Sequence, residues 1–130
     1  MKKILALAAF ILPIAMTEAQ AKDDLDPENT LLIDLKDGQV VIEMYPDTAP
    51  KHVARIKELA RAGKYDGVAF HRVLEGFMAQ TGDIQFGNVK KFNSSRVGTG
   101  GSDKPDLKAE FNKRKHGRGA CSMARSSNPN

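Results

Sequence analysis

Phe70-His71-Arg72-Val73-Leu74-Glu75-Gly76-Phe77-Met78-Ala79-Gln80-Thr81-Gly82-Asp83 is the stretch that decides how this chain is read. Phe70 to Leu74 and Met78 to Thr81 read as two short strands, with Glu75-Gly76 as the turn between them. Side chains alternate along a strand, so Phe70 and Arg72 share one face and His71 takes the other. If residues 72 and 80 stand opposite each other, a guanidinium and a neutral amide reach the same groove. Phe77 and Met78 add an aromatic face and an adaptable thioether. Hydrolysis usually wants a base and a nucleophile, and no second ionisable catalytic group sits among these residues. The set suits a site that holds an apolar ring and polarises one amide.

Upstream, Leu31 to Leu35 and Gln39 to Tyr45 are strand-like, and Lys36-Asp37-Gly38 between them carries the Asp-Gly pair of a tight hairpin. Pro46 to Pro50 ends the second run and starts a helix, with Pro50 at the first helical position, where its missing N–H costs nothing. The spacing predicts a helix from Pro50 to Ala62, with Val53, Ile56, Leu59 and Ala60 forming one apolar stripe. Gly63 is placed to stop it in a left-handed conformation. Downstream, Gly87 to Pro105 is rich in Gly, Ser, Asn and Lys and reads as an irregular excursion. Ala109-Glu110-Phe111 and Ala120-Cys121-Ser122-Met123-Ala124 are expected as further short strands. Hairpins and short strands with one capping helix point to a small, mostly antiparallel barrel.

The first 21 residues are set apart from this fold. Met1-Lys2-Lys3 is a basic start, Ile4 to Met16 an apolar run, and Ala19-Gln20-Ala21 an Ala-x-Ala cleavage site. The apolar run, interrupted by Pro13, is too short for a comfortable membrane span. A cleaved signal peptide is expected, with a periplasmic or secreted product. Cleavage takes 21 of the 130 residues and leaves 109, room for one small domain beginning with a polar arm, 22–30. It removes Lys2, Lys3 and Glu18, so the net charge of +4 falls by one. Such a mild balance, without a recognised motif, argues against nucleic acid as a partner. No stable membrane association is expected after cleavage. The single Cys121 cannot form an internal disulfide.

The run from Phe70 to Asp83 closely resembles the cyclophilin-type peptidyl-prolyl isomerase signature, F-H-R-hydrophobic-x-x-G-F-M-x-Q-x-G-D, with every defining position present. The resemblance implies a cyclophilin-like antiparallel β-barrel with a capping helix, and isomerisation of X-Pro bonds without a cofactor. Rotation about a peptide bond must cross roughly 18–20 kcal/mol because resonance gives C–N double-bond character. When the bond twists, the proline nitrogen turns pyramidal and gains a lone pair, and a donor aimed there favours the twisted form. The resemblance assigns that role to Arg72. It makes Phe77 and Met78 walls for the proline ring, with Gln80 orienting Arg72 or bonding substrate backbone. Gly98-Thr99-Gly100-Gly101 is similar to a family loop bordering the groove, which brings in Thr99. Ser122-Met123-Ala124-Arg125 is similar to a segment whose backbone pairs with bound peptide, which brings in Ala124 and Arg125. Proline-containing polypeptides are the implied partners, and cyclosporin-type compounds the implied ligands.

The resemblance runs from about Leu31 to Asn130. Ser127-Asn128-Pro129-Asn130 is similar to the start of a loop that in the family leads to Ser-x-Phe-Phe, further strands and a second helix. The expected domain, 31–130, therefore lacks those C-terminal strands and that helix. A non-catalytic polypeptide binder or defunct remnant is the alternative this raises. A third reading, an adaptor for anionic polymers, rests on Lys113 to Arg118 and would show steep salt dependence.

His71 is no candidate base, because amide rotation transfers no proton and alternation turns it from Arg72; a hydrogen-bonded scaffold role is expected. The Gly-rich run 98–101 lacks the Lys-Ser/Thr of a Walker loop. His52, His71, His116 and Cys121 have no zinc-site spacing, so no metal is expected. His52 is expected on the polar side of the helix and Cys121 as a buried, inert thiol.

Overall fold

The computed structural model describes residues 25–125. The expected signal peptide, its cleavage site and the first three residues of the polar arm, 22–24, lie outside them, as does the segment after Arg125. A single 3-10 turn at Pro27–Asn29 opens the description, capped by Asp26, whose carboxylate accepts from the Glu28 amide at 2.9 Å. It leads into β1 (Thr30–Leu35), which pairs antiparallel with β2 (Gly38–Glu43). Leu35 stands opposite Gly38, so the two-residue connection is Lys36-Asp37 and not the Asp-Gly pair. Gly38 opens β2 at φ +151°.

The helix α1 spans Pro50–Arg61. Val53 and Leu59 are its buried residues, so the apolar stripe read from the sequence is what packs inward. Its C-terminus is a Schellman ending. The Lys64 amide reaches back to Leu59 O at 3.0 Å and the Gly63 amide to Ala60 O at 2.9 Å, with Gly63 at φ +64°.

The N-terminus of α1 is closed from a distance. Ala49, at the cap position, offers no side-chain hydrogen bond. The Glu110 carboxylate instead accepts from the Lys51 and His52 amides, both at 3.1 Å, and lies 2.7 Å from His52 Nδ1. This corrects the expectation that His52 belongs to the polar side: it is half-buried and bonded. Other ties reach the helix from both flanks. Glu28 bonds Lys57 at 3.1 Å and Arg61 at 2.8 Å, Lys104 pairs with Glu58 at 2.6 Å, and Arg55 donates to Pro105 O at 3.1 Å.

A second hairpin, β3 (Arg72–Leu74) with β4 (Met78–Gln80), stands apart from the first. Its approach is extended by a bridge between Val68 and Asn88, in which the Ala69 amide donates to Gly87 O at 2.9 Å. The described residues are thus strand-rich with one α-helix, but β1–β2 and β3–β4 form two separate two-stranded sheets, and together they do not close a barrel.

Two expected strands are absent. Residues 109–111 and 120–124 are irregular, and Phe111, Cys121 and Met123 are exposed. A strand exists only through its ladder, and among the described residues the two sheets are built from β1–β2 and β3–β4. Glu110 is spent on the helix, which pins its segment there. Cys121 is accordingly exposed rather than buried in a strand.

Candidate functional site

Three paired residues on each side suffice to aim the side chains of the second hairpin. Arg72 stands opposite Gln80, Val73 opposite Ala79 and Leu74 opposite Met78. Residues directly opposite in an antiparallel pair put their side chains on the same face. Arg72, Gln80, Leu74 and Met78 therefore share one face, and Val73 and Ala79 the other. The hairpin is fixed at its open end, where the His71 amide donates to Gln80 O at 3.0 Å and Thr81 Oγ1 donates to Ala69 O at 2.9 Å.

Arg72 is exposed, and no salt bridge engages it among the described residues. Met78 and Gln80 beside it are half-buried. The face thus offers an uncommitted guanidinium, a neutral amide and a thioether within one hairpin. Phe77 is not on that face: it lies in the turn, 77% exposed.

The loop carrying Thr99 is held to the end of this hairpin by Asp83, which the sequence reading passed over. Asp83 is 4% exposed, and its two carboxylate oxygens accept from four backbone amides. Oδ1 takes Gln85 and Phe86, at 3.1 and 2.9 Å, and Oδ2 takes Gly98 and Gly100, at 2.7 and 3.0 Å. Burial works against its ionised form, but these four bonds outweigh it and hold the carboxyl below its ordinary value. Gly100 is required by the closeness of this packing, since a Cβ there would fall onto the Asp83 carboxylate and 2.7 Å from the Phe86 ring. The Arg96 guanidinium covers the same Phe86 ring at 4.0 Å from its centroid. Thr99 is exposed, its hydroxyl donating to Arg96 O at 2.7 Å. Half of this was signalled in the sequence: an Asp side chain accepts from backbone amides a few residues on, as Asp83 does from Gln85 and Phe86.

His71 departs from its expected bonding. Both ring nitrogens are buried and have no hydrogen-bond partner among the described residues, and the ring rests against Gly98. Ala124 and Arg125 are not gathered to the hairpin: both are exposed, and Arg125 sits 5.5 Å over the Phe111 ring. In the basic turn, Arg114 lies 3.5 Å over the Tyr45 ring, whose hydroxyl donates to Glu43 at 3.0 Å.

The site therefore consists of one cation, one amide and an apolar wall, with a loop anchored at the open end of the same hairpin. It is equipped to donate hydrogen bonds to a neutral, ring-bearing ligand.

Residues 30–130 match the family model described as cyclophilin type peptidyl-prolyl cis-trans isomerase/CLD. Over 130 residues, 99% of this chain, the sequence is 57% identical to a protein of Brucella suis named "Probable peptidyl-prolyl cis-trans isomerase", and the match spans 66% of that relative's length. Peptidyl-prolyl cis-trans isomerase B of Bacillus subtilis is 40% identical over 92 residues, 69% of this chain and 57% of that protein. The crystal structure of cyclophilin AquaCyp293 from Hirschia baltica is similar at a TM-score of 0.53 and 35% identity, covering 77% of this chain and 35% of that one.

Proposed function

The chain belongs to the cyclophilin-type peptidyl-prolyl cis-trans isomerase family, and on that premise we propose that it accelerates rotation about X-Pro bonds in extended segments of folding polypeptides. The observation that carries this reading is the register of Arg72 opposite Gln80, with half-buried Met78 on the same face. An X-Pro bond isomerises in tens to hundreds of seconds unaided, because the planar amide must lose its resonance.

In this reading the proline ring rests on Met78, and Arg72 donates to the nitrogen lone pair that exists only when the amide is twisted. The Gln80 amide, held on the neighbouring strand, orients the guanidinium or bonds the substrate backbone. Phe77, exposed in the turn, would have to swing over the ring to wall it. A donor that meets the twisted form and not the planar one lowers the barrier without proton transfer. Thr99 borders the groove from its anchored loop, and the 122–125 backbone would have to draw in to the hairpin to meet the peptide. Apolar N-alkylated peptides of the cyclosporin type would compete for the same face. The two hairpins belong to the wall of an antiparallel barrel that α1 caps. Residues 1–21 direct export, so that the acting form works in the periplasm or outside the cell.

The test is exchange between cis and trans forms of an Ala-Pro peptide, followed by NMR with and without the full chain. Catalysed exchange that disappears in Arg72→Ala supports the reading. Exchange at the uncatalysed rate with the folded parent protein overturns it.

A further inference from the structure

The substrate face and the Thr99 loop belong to different parts of the chain, yet one contact sits between them. His71 immediately precedes Arg72, and Gly98 immediately precedes Thr99. A methyl group placed on Gly98 would lie 3.3 Å from both Cδ2 and Nε2 of the His71 ring, so the imidazole fills the space beside that glycine. Gly98 is held from its other side by Asp83 Oδ2, 2.7 Å from its amide. The hairpin thus grips Gly98 from both of its ends: by His71 just ahead of β3, and by Asp83 just after β4.

The ring makes this contact through its shape. Among the described residues neither imidazole nitrogen has a hydrogen-bond partner, so the contact does not depend on the residue being histidine. Its backbone, in contrast, is fixed by donation to Gln80 O at 3.0 Å, which ties the ring's base to the strand opposite Arg72. From this geometry we infer that His71 is a positioning residue, a spacer that sets the distance between Arg72 and Thr99 and so the width of the substrate groove.

The inference rests on the reading of Arg72 and Thr99 as two borders of one peptide groove. Its consequence is selective. Removing the spacer lets the loop shift relative to the hairpin and weakens grip on peptides long enough to reach Thr99. Arg72 keeps its register with Gln80, because backbone pairing holds it.

Three proteins decide the matter: the full chain, His71→Ala and His71→Phe. Each is measured for kcat and KM on an extended Ala-Pro peptide and for hydrogen exchange at the Gly98 amide. In His71→Ala, KM is expected to rise about fivefold with kcat kept within about twofold, the split of a lost uniform-binding contact. Gly98 exchange is expected to quicken about tenfold, as befits a loosened local unit. His71→Phe, a planar ring without nitrogens, is expected to restore both. A fall in kcat at unchanged KM, unchanged Gly98 exchange in His71→Ala, or a Phe variant as defective as the Ala variant each overturns the inference. If His71→Ala does not fold, Gly98→Ala attacks the same contact from the loop side, and unchanged KM there overturns it equally. Should the parent protein isomerise nothing, the proposed function fails separately, while Gly98 exchange and peptide affinity still judge the spacer.

Discussion

His52 Nδ1 lies 2.7 Å from Oε2 of Glu110, a residue 58 positions further along the chain. The same carboxylate receives the first amides of α1, so one side chain serves both as remote helix cap and as partner to an imidazole. Carboxylates are favoured at a helix N-terminus by its exposed N–H groups. Here the first turn contains none, and Ala49 at the cap position has no side-chain acceptor to offer.

Glu110→Gln is expected to lower the denaturant midpoint of the chain and to flatten its acid limb. Burial opposes ionisation of Glu110, but bonds from the His52 ring and the His52 and Lys51 amides outweigh it and keep its pKa below the ordinary 4.5. Its contribution is therefore present above that value and is lost as pH falls through the lower, folded pKa. Urea unfolding at a series of pH values checks both points; identical parent and variant profiles would refute them.

Arg72→Ala is expected to slow X-Pro isomerisation about 100-fold, the usual scale for losing one donor to a transition state. Stability should move by no more than about 0.5 kcal/mol, since the residue is exposed. Arg72→Lys should recover only part of the rate, because an ammonium lacks the planar fork. Peptide exchange rates beside denaturant midpoints separate the two effects.

Asp83→Ala strands four backbone amides at once and is expected to cost about 3 kcal/mol, since unpaired buried donors are expensive. The acid limb carries the same sign as for Glu110: stability from Asp83 is present above its ordinary 3.8 and lost as pH drops through its lowered folded value. Loss of amide protection at Gly98 and Gly100 in this variant, read by hydrogen exchange, is the direct check.

At Gly63 the backbone is at φ +64°, and an added Cβ would meet Asp66 Oδ2 at 3.1 Å. Gly63→Ala is expected to destabilise the protein by about 1–2 kcal/mol, the cost of the left-handed region for an L-residue. Thermal unfolding of the pair measures it; an unchanged midpoint would show that the helix ending relaxes freely.

Cleavage of residues 1–21 as an export signal is expected to leave a product that begins at Lys22. Intact-mass analysis of the native protein reads this directly, and retention of Met1 in the soluble form would refute it.

Hairpins and helix were legible because each is written in local chemistry. The helix stripe of Val53 and Leu59, the Gly63 stop and the alternation that sets Arg72 against Gln80 all lie within a few residues of each other. What stayed hidden depends on partners far apart in sequence. Nothing near Glu110 marks it as the cap of a helix more than fifty residues upstream, and read locally Ala109-Glu110-Phe111 looks like a strand. The bonds of Asp83 to Gly98 and Gly100 and the contact of His71 with Gly98 are likewise fixed by how loops return, which no periodicity encodes. Arg125 was readable as a motif member, but its place over Phe111 was not.

The remote cap on α1 also imposes an order of events on the growing chain. Lys51 is synthesised 59 residues before Glu110. At about 5–20 residues per second, the helix waits roughly 3–12 s for the carboxylate that closes its first turn. During that interval the amides of Lys51 and His52 are open to water. A nascent chain stalled before residue 110 would lack the carboxylate that closes the first turn of this helix.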